Sequence, residues 1–175
     1  GRMIDTHPGE ILGTSESARV QRLFVEKAAS SDEPVTLTGE PGTGKQLTAT
    51  IIHDHSNRKR HPLIAVDCSL YYERELKREL FGFQPGTTGA KARKGILELA
   101  TKGTCYLSRI EELTPALQLG LLRFVTSRRV RRLGDGKEIS TGVRLMVSSD
   151  KNLGGLVESG LFDKELYGRL SVLTL

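Results

Sequence analysis

Gly39-Glu40-Pro41-Gly42-Thr43-Gly44-Lys45 follows the apolar run Val35-Thr36-Leu37-Thr38 and precedes Gln46-Leu47-Thr48-Ala49-Thr50-Ile51-Ile52. The three stretches read as a strand, a glycine-rich turn and a helix. The spacing G-x-x-x-x-G-K fits a phosphate-binding loop: its glycines let backbone N–H groups close around phosphate oxygens, the helix N-terminus favours negative charge, and the lysine reaches outward. Gln46 stands where the general pattern has Ser or Thr. A neutral amide is a poorer ligand for a hard cation than that hydroxyl, so phosphate binding is expected to survive better than metal chemistry. The competing reading is a glycine-rich turn that binds nothing.

Working outward, residues 8–13 form a turn-rich lead-in, and Ser15 or Ser17 caps an amphipathic helix through Ala18, Val20, Leu23, Phe24 and Ala28. Ser30-Ser31-Asp32-Glu33-Pro34 ends it. The helix after the glycine loop runs to about His55, with His53 and His55 on different faces, which argues against a metal pair. Leu63 to Val66 reads as a second buried strand ending in Asp67, and a charged helix follows around Tyr71 to Phe81. Asp67 suits either a site position beside the phosphate loop or a capping or turn role, and both stand. Phe83-Gln84-Pro85-Gly86-Thr87-Thr88-Gly89-Ala90 reads as a loop inserted within a helical region, and Gly95 to Ala100 as a short helix or turn.

Gly103-Thr104-Cys105-Tyr106-Leu107 is the third core strand, followed by Ser108-Arg109-Ile110-Glu111-Glu112. Nucleotide hydrolases need a carboxylate at the end of such a strand to hold Mg²⁺ and usually a second to orient water. Ser108 and Arg109 do neither, and Glu111 and Glu112 are displaced into the next turn. Thr114-Pro115 opens another helix through Leu117, Leu121, Leu122 and Phe124. Asp135-Gly136 marks a hairpin, Val143 to Val147 is the fourth core strand before Ser148-Ser149-Asp150, a polar helix follows Asn152, and residues 171–175 form a strand-like run. Helices alternating with apolar strands predict an α/β fold with a mainly parallel sheet covered on both faces.

The chain has 175 residues with 37% hydrophobic content, which suits one compact domain. No apolar run approaches the ~20 residues a bilayer needs, and Gly1-Arg2-Met3 reads as a cloning scar, so a cytoplasmic location and no membrane partner are expected. Cys68 and Cys105 lie in separate apolar strand-like runs, as expected of reduced core thiols. Lys and Arg number 26 against 21 acidic residues, a mixed surface with two denser basic clusters, Arg58-Lys59-Arg60-His61 and Arg128-Arg129-Val130-Arg131-Arg132. Solvated loops and subunit-facing charge are favoured for them over direct DNA contact, because no helix-turn-helix or aromatic platform accompanies them.

Gly39 to Lys45, His53 with Ser56 and Arg58, Glu79-Leu80-Phe81-Gly82, Thr88-Gly89-Ala90, Gly103-Thr104, Gln118 with Leu121-Leu122-Arg123, Val143-Arg144 and Leu166-Tyr167 with Arg169-Leu170 together resemble the AAA+ domain of bacterial sigma-54 enhancer-binding transcription activators. The likeness covers residues 11–175, leaving 1–10 as scar and lead-in. It implies a P-loop α/β core that forms rings with ATP or ADP between subunits and engages a sigma factor of RNA polymerase. It also implies a helical lid and, often, DNA-binding parts that lie outside this chain, which looks like an excised fragment. Gly39, Glu40, Gly42, Thr43, Gly44, Lys45 and Gln46 would hold the nucleotide, and Gln46 is a mild change from the Glu usual in the family.

The departures gather at the chemistry. Ser108 and Arg109 stand where the family's Walker B segment ends in Asp-Glu. Asp67 replaces a polar Asn, Asp150 the sensor Asn, and Asp163 the first of two arginines offered to a neighbour, leaving Arg169. The sigma-contacting loop reads Pro85-Gly86-Thr87-Thr88-Gly89-Ala90, with Thr87 in place of the aromatic. Positive charge where Mg²⁺ should sit is adverse, because Arg109 does not deprotonate to relieve the clash. Arg109 instead suits offsetting phosphate charge in the metal's place. The expectation is a pseudo-ATPase that binds ATP or ADP without ordinary Mg²⁺-dependent turnover. An active ATPase using Glu111 or Glu112, and a nucleotide-free scaffold, are the alternatives.

Overall fold

Alternation along the strands sets the architecture. In the computed structural model, which describes residues 15–85, 91–134 and 136–175, β1 (Val35–Thr38), β2 (Leu63–Asp67), β5 (Thr104–Ser108), β8 (Arg144–Ser149) and β9 (Leu173–Thr174) form one parallel sheet in the order β2-β5-β8-β1-β9. Side chains of successive strand residues point to opposite faces. Val35, Leu37, Tyr106 and Met146 therefore enter one core with Val25, Ala28, Ile51 and Ile52 from helices α1 (Glu16–Ala29) and α2 (Lys45–Asp54). Cys105, Leu107, Leu145 and Val147 enter the other, against α3 (Glu73–Phe81), α4 (Ile96–Leu99), α5 (Pro115–Ser127) and α7 (Lys164–Leu170). The sequence-predicted α/β sheet with two covered faces is the observed one.

Caps fix the helix starts. Ser15, rather than Ser17, caps α1 by accepting from Ala18 N, and Thr114 caps α5 with Pro115 in its first turn. α6 (Leu153–Glu158) begins at Asn152, whose side chain accepts from Gly155 N.

Several sequence expectations are corrected. Leu63 to Val66 is not a buried strand: β2 is a sheet edge, with Ala65 exposed and Leu63, Ile64 and Asp67 half-buried. Cys68 leaves the strand for a short 3-10 turn, Cys68–Leu70, and both thiols are buried and free. Arg58 is not a solvated loop charge. Its Nη1 donates to Gly103 O at 2.9 Å and Gly142 O at 2.5 Å, and its Nε meets Asp32 at 3.1 Å, so it closes the ends of the strands.

The expected insertion within a helical region is flanked by strands, not helix. β3 (Gly82–Phe83) and β4 (Arg93–Lys94) form an antiparallel ribbon, because Gly82 at φ 85° ends α3 and reverses the chain. The hairpin expected at Asp135-Gly136 is present as β6 (Arg129–Arg131) with β7 (Glu138–Ser140). The lead-in at 8–13, Gly86–Ala90 of the stretch expected to contact a sigma factor, and Asp135 lie outside the described residues.

Candidate functional site at the strand ends

The loop between β1 and α2 has the backbone its glycines predict. Gly42 and Gly44 take φ of 82° and 83°, in the left-handed region that an L side chain enters only with strain. Thr43 Oγ1 donates to Glu40 O at 2.9 Å, bracing the loop across its mouth. Residues Glu40 to Gly44 are exposed, Gly44 provides no side-chain cap, and no acidic residue occupies the first turn of α2. The amide groups that begin this ten-residue helix thus face an open surface suited to an anion. Gln46 is exposed beside them.

Lys45 folds back across the loop instead of reaching into solvent. Its Nζ donates to Gly39 O at 2.6 Å and Glu40 O at 2.8 Å, and pairs with Asp150 Oδ1 at 2.9 Å, leaving its side chain 11% exposed. The register explains the partner. Thr38 lies opposite Ser149, so the chain leaving β8 delivers Asp150 to the loop leaving β1.

The same register carries the arrangement along the sheet edge. Asp67 lies opposite Ser108, which puts the ends of β2 and β5 side by side. Arg109 follows β5 in a left-handed conformation, φ 54°. Its Nε pairs with Asp150 Oδ2 at 3.2 Å, and its Nη1 lies 3.9 Å from Asp67 Oδ2 and donates to Ser69 Oγ at 3.0 Å. Asp67 Oδ1 in turn accepts from Ser69 N at 2.9 Å and Ser69 Oγ at 2.6 Å. Asp67 is therefore a turn cap that also faces Arg109. Lys45, Asp150, Arg109 and Asp67 form a continuous chain of alternating charge across the carboxyl ends of β1, β8, β5 and β2, where open α/β sheets place their ligands.

Ser108 turns away from this chain, its Oγ donating to Val66 O at 3.4 Å. Glu111 is closer to it than its place in the sequence suggests. The short 3-10 turn Ile110–Glu112 folds its carboxylate back, so that Oε2 accepts from Asp150 N at 2.9 Å, while Oε1 is buried without a hydrogen bond. Glu112 is exposed. Burial, then the nearby Asp67 and Glu111 carboxylates, push the Cys68 thiol up to about 12, and burial pushes Cys105 up as well. Neither thiol offers a thiolate to the site at neutral pH.

Asp163 and Arg169 are not brought into this cluster. Asp163 caps α7, with Oδ1 accepting from Leu166 N at 2.8 Å, and its own N–H donates to Gln118 Oε1 at 2.8 Å. Arg169 is exposed on α7 and makes no ion pair among the described residues. Sequence reasoning missed Ser69, the hydroxyl that joins Arg109 to Asp67. It also missed the pairing of Lys45 with Asp150, although an arginine just past one core strand with acids just past two others was the available signal.

The sigma-54 interaction domain family model matches residues 11–175. The transcriptional regulatory protein FlgR of Helicobacter pylori is 37% identical over 171 residues, 97% of this chain and 45% of that protein. The sigma54-dependent transcriptional regulator SfnR of Pseudomonas fluorescens is 40% identical over 186 residues, covering 99% and 51%. The chain thus spans about half the length of these relatives or less. Among solved structures, NtrX from Brucella abortus in complex with ATP superposes with a TM-score of 0.86 at 30% identity, covering 95% of this chain and 36% of that one. NtrX with ADP gives the same TM-score of 0.86 over 94% of this chain and 37% of that one.

Proposed function

This chain belongs to the sigma-54 interaction domain family, and we propose that within a transcription regulator it binds ATP or ADP at Gly39 to Gln46 without turning it over. The observation that carries the proposal is Arg109, set between Asp150 and Asp67 at the strand ends. The carboxylates at the strand ends are held: Asp150 by Lys45 and Arg109, Asp67 by Ser69 and Arg109, and one oxygen of Glu111 by the backbone of Asp150. These residues do not fit Mg²⁺. A hard divalent cation needs oxygen ligands facing an open position, and here a guanidinium occupies the ground between the acids.

The nucleotide fits better. Open amide groups at the start of α2 and the glycine backbone supply phosphate contacts without a metal. Lys45 would exchange Asp150 for a phosphate oxygen, and Arg109 would offset phosphate charge in place of a cation. Hydrolysis lacks an open carboxylate at the strand ends to orient water, since the unpaired oxygen there, Glu111 Oε1, is buried. Support for binding comes from NtrX, crystallised with ATP and with ADP. In the full-length protein the domain would act through ring assembly and through RNA polymerase and its sigma factor. DNA-recognition domains outside this chain would direct it to its sites.

The free buried oxygen of Glu111 favours a second reading, an ATPase that remodels sigma-54 polymerase with Glu111 as its acid. Calorimetric titration of ATP with and without Mg²⁺, beside a phosphate-release assay, separates the readings. The proposal expects binding that needs Lys45, is indifferent to Mg²⁺ and yields no phosphate. Mg²⁺-dependent phosphate release lost in Glu111→Gln would establish the second reading. No binding at all would leave a nucleotide-free scaffold.

A further inference from the structure

An ammonium group has three hydrogens to donate, and the short contacts of Lys45 account for all of them. Two go to carbonyls of its own loop, Gly39 O at 2.6 Å and Glu40 O at 2.8 Å, and the third meets Asp150 Oδ1 at 2.9 Å. The Thr43 hydroxyl is farther, at 3.4 Å. The two carbonyls belong to the loop and stay with it. Among the described residues, Asp150 is the one acid paired with Lys45, and it arrives from another strand.

The backbone that carries this carboxylate is braced. Asp150 N donates to Glu111 Oε2 at 2.9 Å, and Ser149 Oγ bridges the turn by donating to Lys151 O at 2.8 Å and accepting from Lys151 N at 3.0 Å. Glu111 is thus a positioning residue for Asp150. The acid can leave Lys45 only by turning its side chain toward Arg109, 3.2 Å away on the other side. Beyond Lys45 the strand ends therefore hold three acids, Asp67, Glu111 and Asp150, of which Arg109 faces Asp67 and Asp150. Arg109 offsets a further negative charge only in part, because its side chain is 46% exposed and is shared with Asp67 and Ser69.

A phosphate loop carries the α- and β-phosphates on its backbone N–H groups and uses its lysine for the β- and γ-phosphates. A diphosphate therefore draws chiefly on the open stretch Glu40 to Gly44, which bears no paired acid among the described residues. A third phosphate depends on Lys45, on the side that Asp150 holds. We propose that Asp150 makes this a diphosphate site, which selects ADP over ATP by setting a braced carboxylate against the third phosphate. The inference rests on the nucleotide-binding reading above and adds to it which nucleotide the resting protein retains.

The test is calorimetric titration of ADP and of ATP, both in chelator, into the wild type, Asp150→Asn and Arg109→Gln. Like charges about 4 Å apart lower affinity about fivefold in water and more in a partly buried site, so the wild type should bind ADP roughly 5- to 50-fold more tightly than ATP. In Asp150→Asn the two affinities should come within about threefold, with ATP gaining more than ADP. Arg109→Gln leaves Asp150 with less compensation and should widen the preference for ADP by about twofold or more. The rise in Tm caused by each nucleotide should rank the three proteins in the same order. The inference is overturned, with nucleotide binding left standing, if the wild type binds ATP as tightly as ADP. It is overturned likewise if the preference persists unchanged in Asp150→Asn, or narrows in Arg109→Gln. A wild type that binds neither nucleotide overturns this inference and the nucleotide-binding reading together.

Discussion

Replacing Asp150 by Asn should make nucleotide bind more tightly while making the free protein less stable. In the free protein Asp150 is the hinge of the charge chain, 2.9 Å from Lys45 Nζ and 3.2 Å from Arg109 Nε, with its side chain 19% exposed. A charge-assisted hydrogen bond of this kind contributes about 1.5–3 kcal/mol when well buried. The Arg109 contact is worth less, because that side chain is 46% exposed and solvent screens it. Asn keeps the shape and one weaker bond to Lys45, so the expected loss of stability is about 1–3 kcal/mol, or a fall in Tm of about 2–12 °C for a chain of this size.

Nucleotide binding reverses the sign. The wild type must break the Lys45–Asp150 pair before Lys45 meets phosphate, and the freed carboxylate then faces a phosphate of like charge. Two like charges about 4 Å apart repel by about 1 kcal/mol in water and more in a partly buried site. Removing both penalties predicts ATP affinity about 10- to 100-fold higher in Asp150→Asn, since about 1.4 kcal/mol is tenfold. Calorimetric titration of ATP into both proteins gives the affinities, and thermal unfolding gives the stabilities. An Asp150→Asn protein that binds ATP no better than wild type, while its Tm falls as expected, would refute the idea that Asp150 competes with phosphate for Lys45.

Lys45→Ala should abolish measurable ATP binding in calorimetry while changing Tm by only a few degrees, because it removes the pair but leaves the fold. Arg109→Glu gathers a third carboxylate beside Asp67 and Asp150, so its Tm should fall in chelator and recover when Mg²⁺ is added; wild-type Tm should not respond to Mg²⁺. Arg144→Ala should cost about 3–5 kcal/mol in chemical denaturation, at roughly 1.5–3 kcal/mol for each charge-assisted hydrogen bond, because this fully buried guanidinium donates to Ala28 O at 2.6 Å and Glu33 O at 3.1 Å and ties the end of α1 to β8. The thiols predict a pH dependence. With Cys68 raised from 9.0 to about 12, the unfolded chain loses its proton first, so the stabilisation is fully present below about pH 9 and declines as pH rises toward 12. Denaturant midpoints should drop over that window, and less so in Cys68→Ala.

The fold was legible because its signals are local. Ser15, Thr114 and Pro115 mark helix starts, the glycines of the phosphate loop mark a left-handed turn, and apolar runs mark the sheet. The position of a strand within the sheet is not local, which is why β2 read as buried although it forms an edge. Leu63 to Val66 is as apolar as a central strand. Only the strand order exposes Ala65. At the site, the sequence identified Lys45, Asp67, Arg109 and Asp150 as residues but not as partners, since their contacts depend on β1, β8, β5 and β2 ending side by side. Arg58 shows the reverse error: a basic run looks solvated until the carbonyls of Gly103 and Gly142 are brought to it.

The charged residues at the strand ends are easier to understand together than singly. Arg109 alone, beside Lys45, would put two cations at one mouth. Asp150 alone would hold Lys45 and repel phosphate. Present together with Asp67, they form a chain in which each acid lies between hydrogen-bond donors and each cation meets an acid. Such a site carries its own substitute for phosphate: the Asp150 carboxylate gives Lys45 the acceptor that a nucleotide would otherwise provide. In the proposed cycle ATP therefore displaces an internal ligand, and the displaced carboxylate can relax only toward Arg109. Arg109 is held in turn by Ser69 and Asp67 at the exposed edge of the sheet. Binding at the loop would thereby be felt at β2, at the edge of the sheet, without any bond in the nucleotide being broken. A regulator that works by occupancy needs that coupling more than it needs turnover.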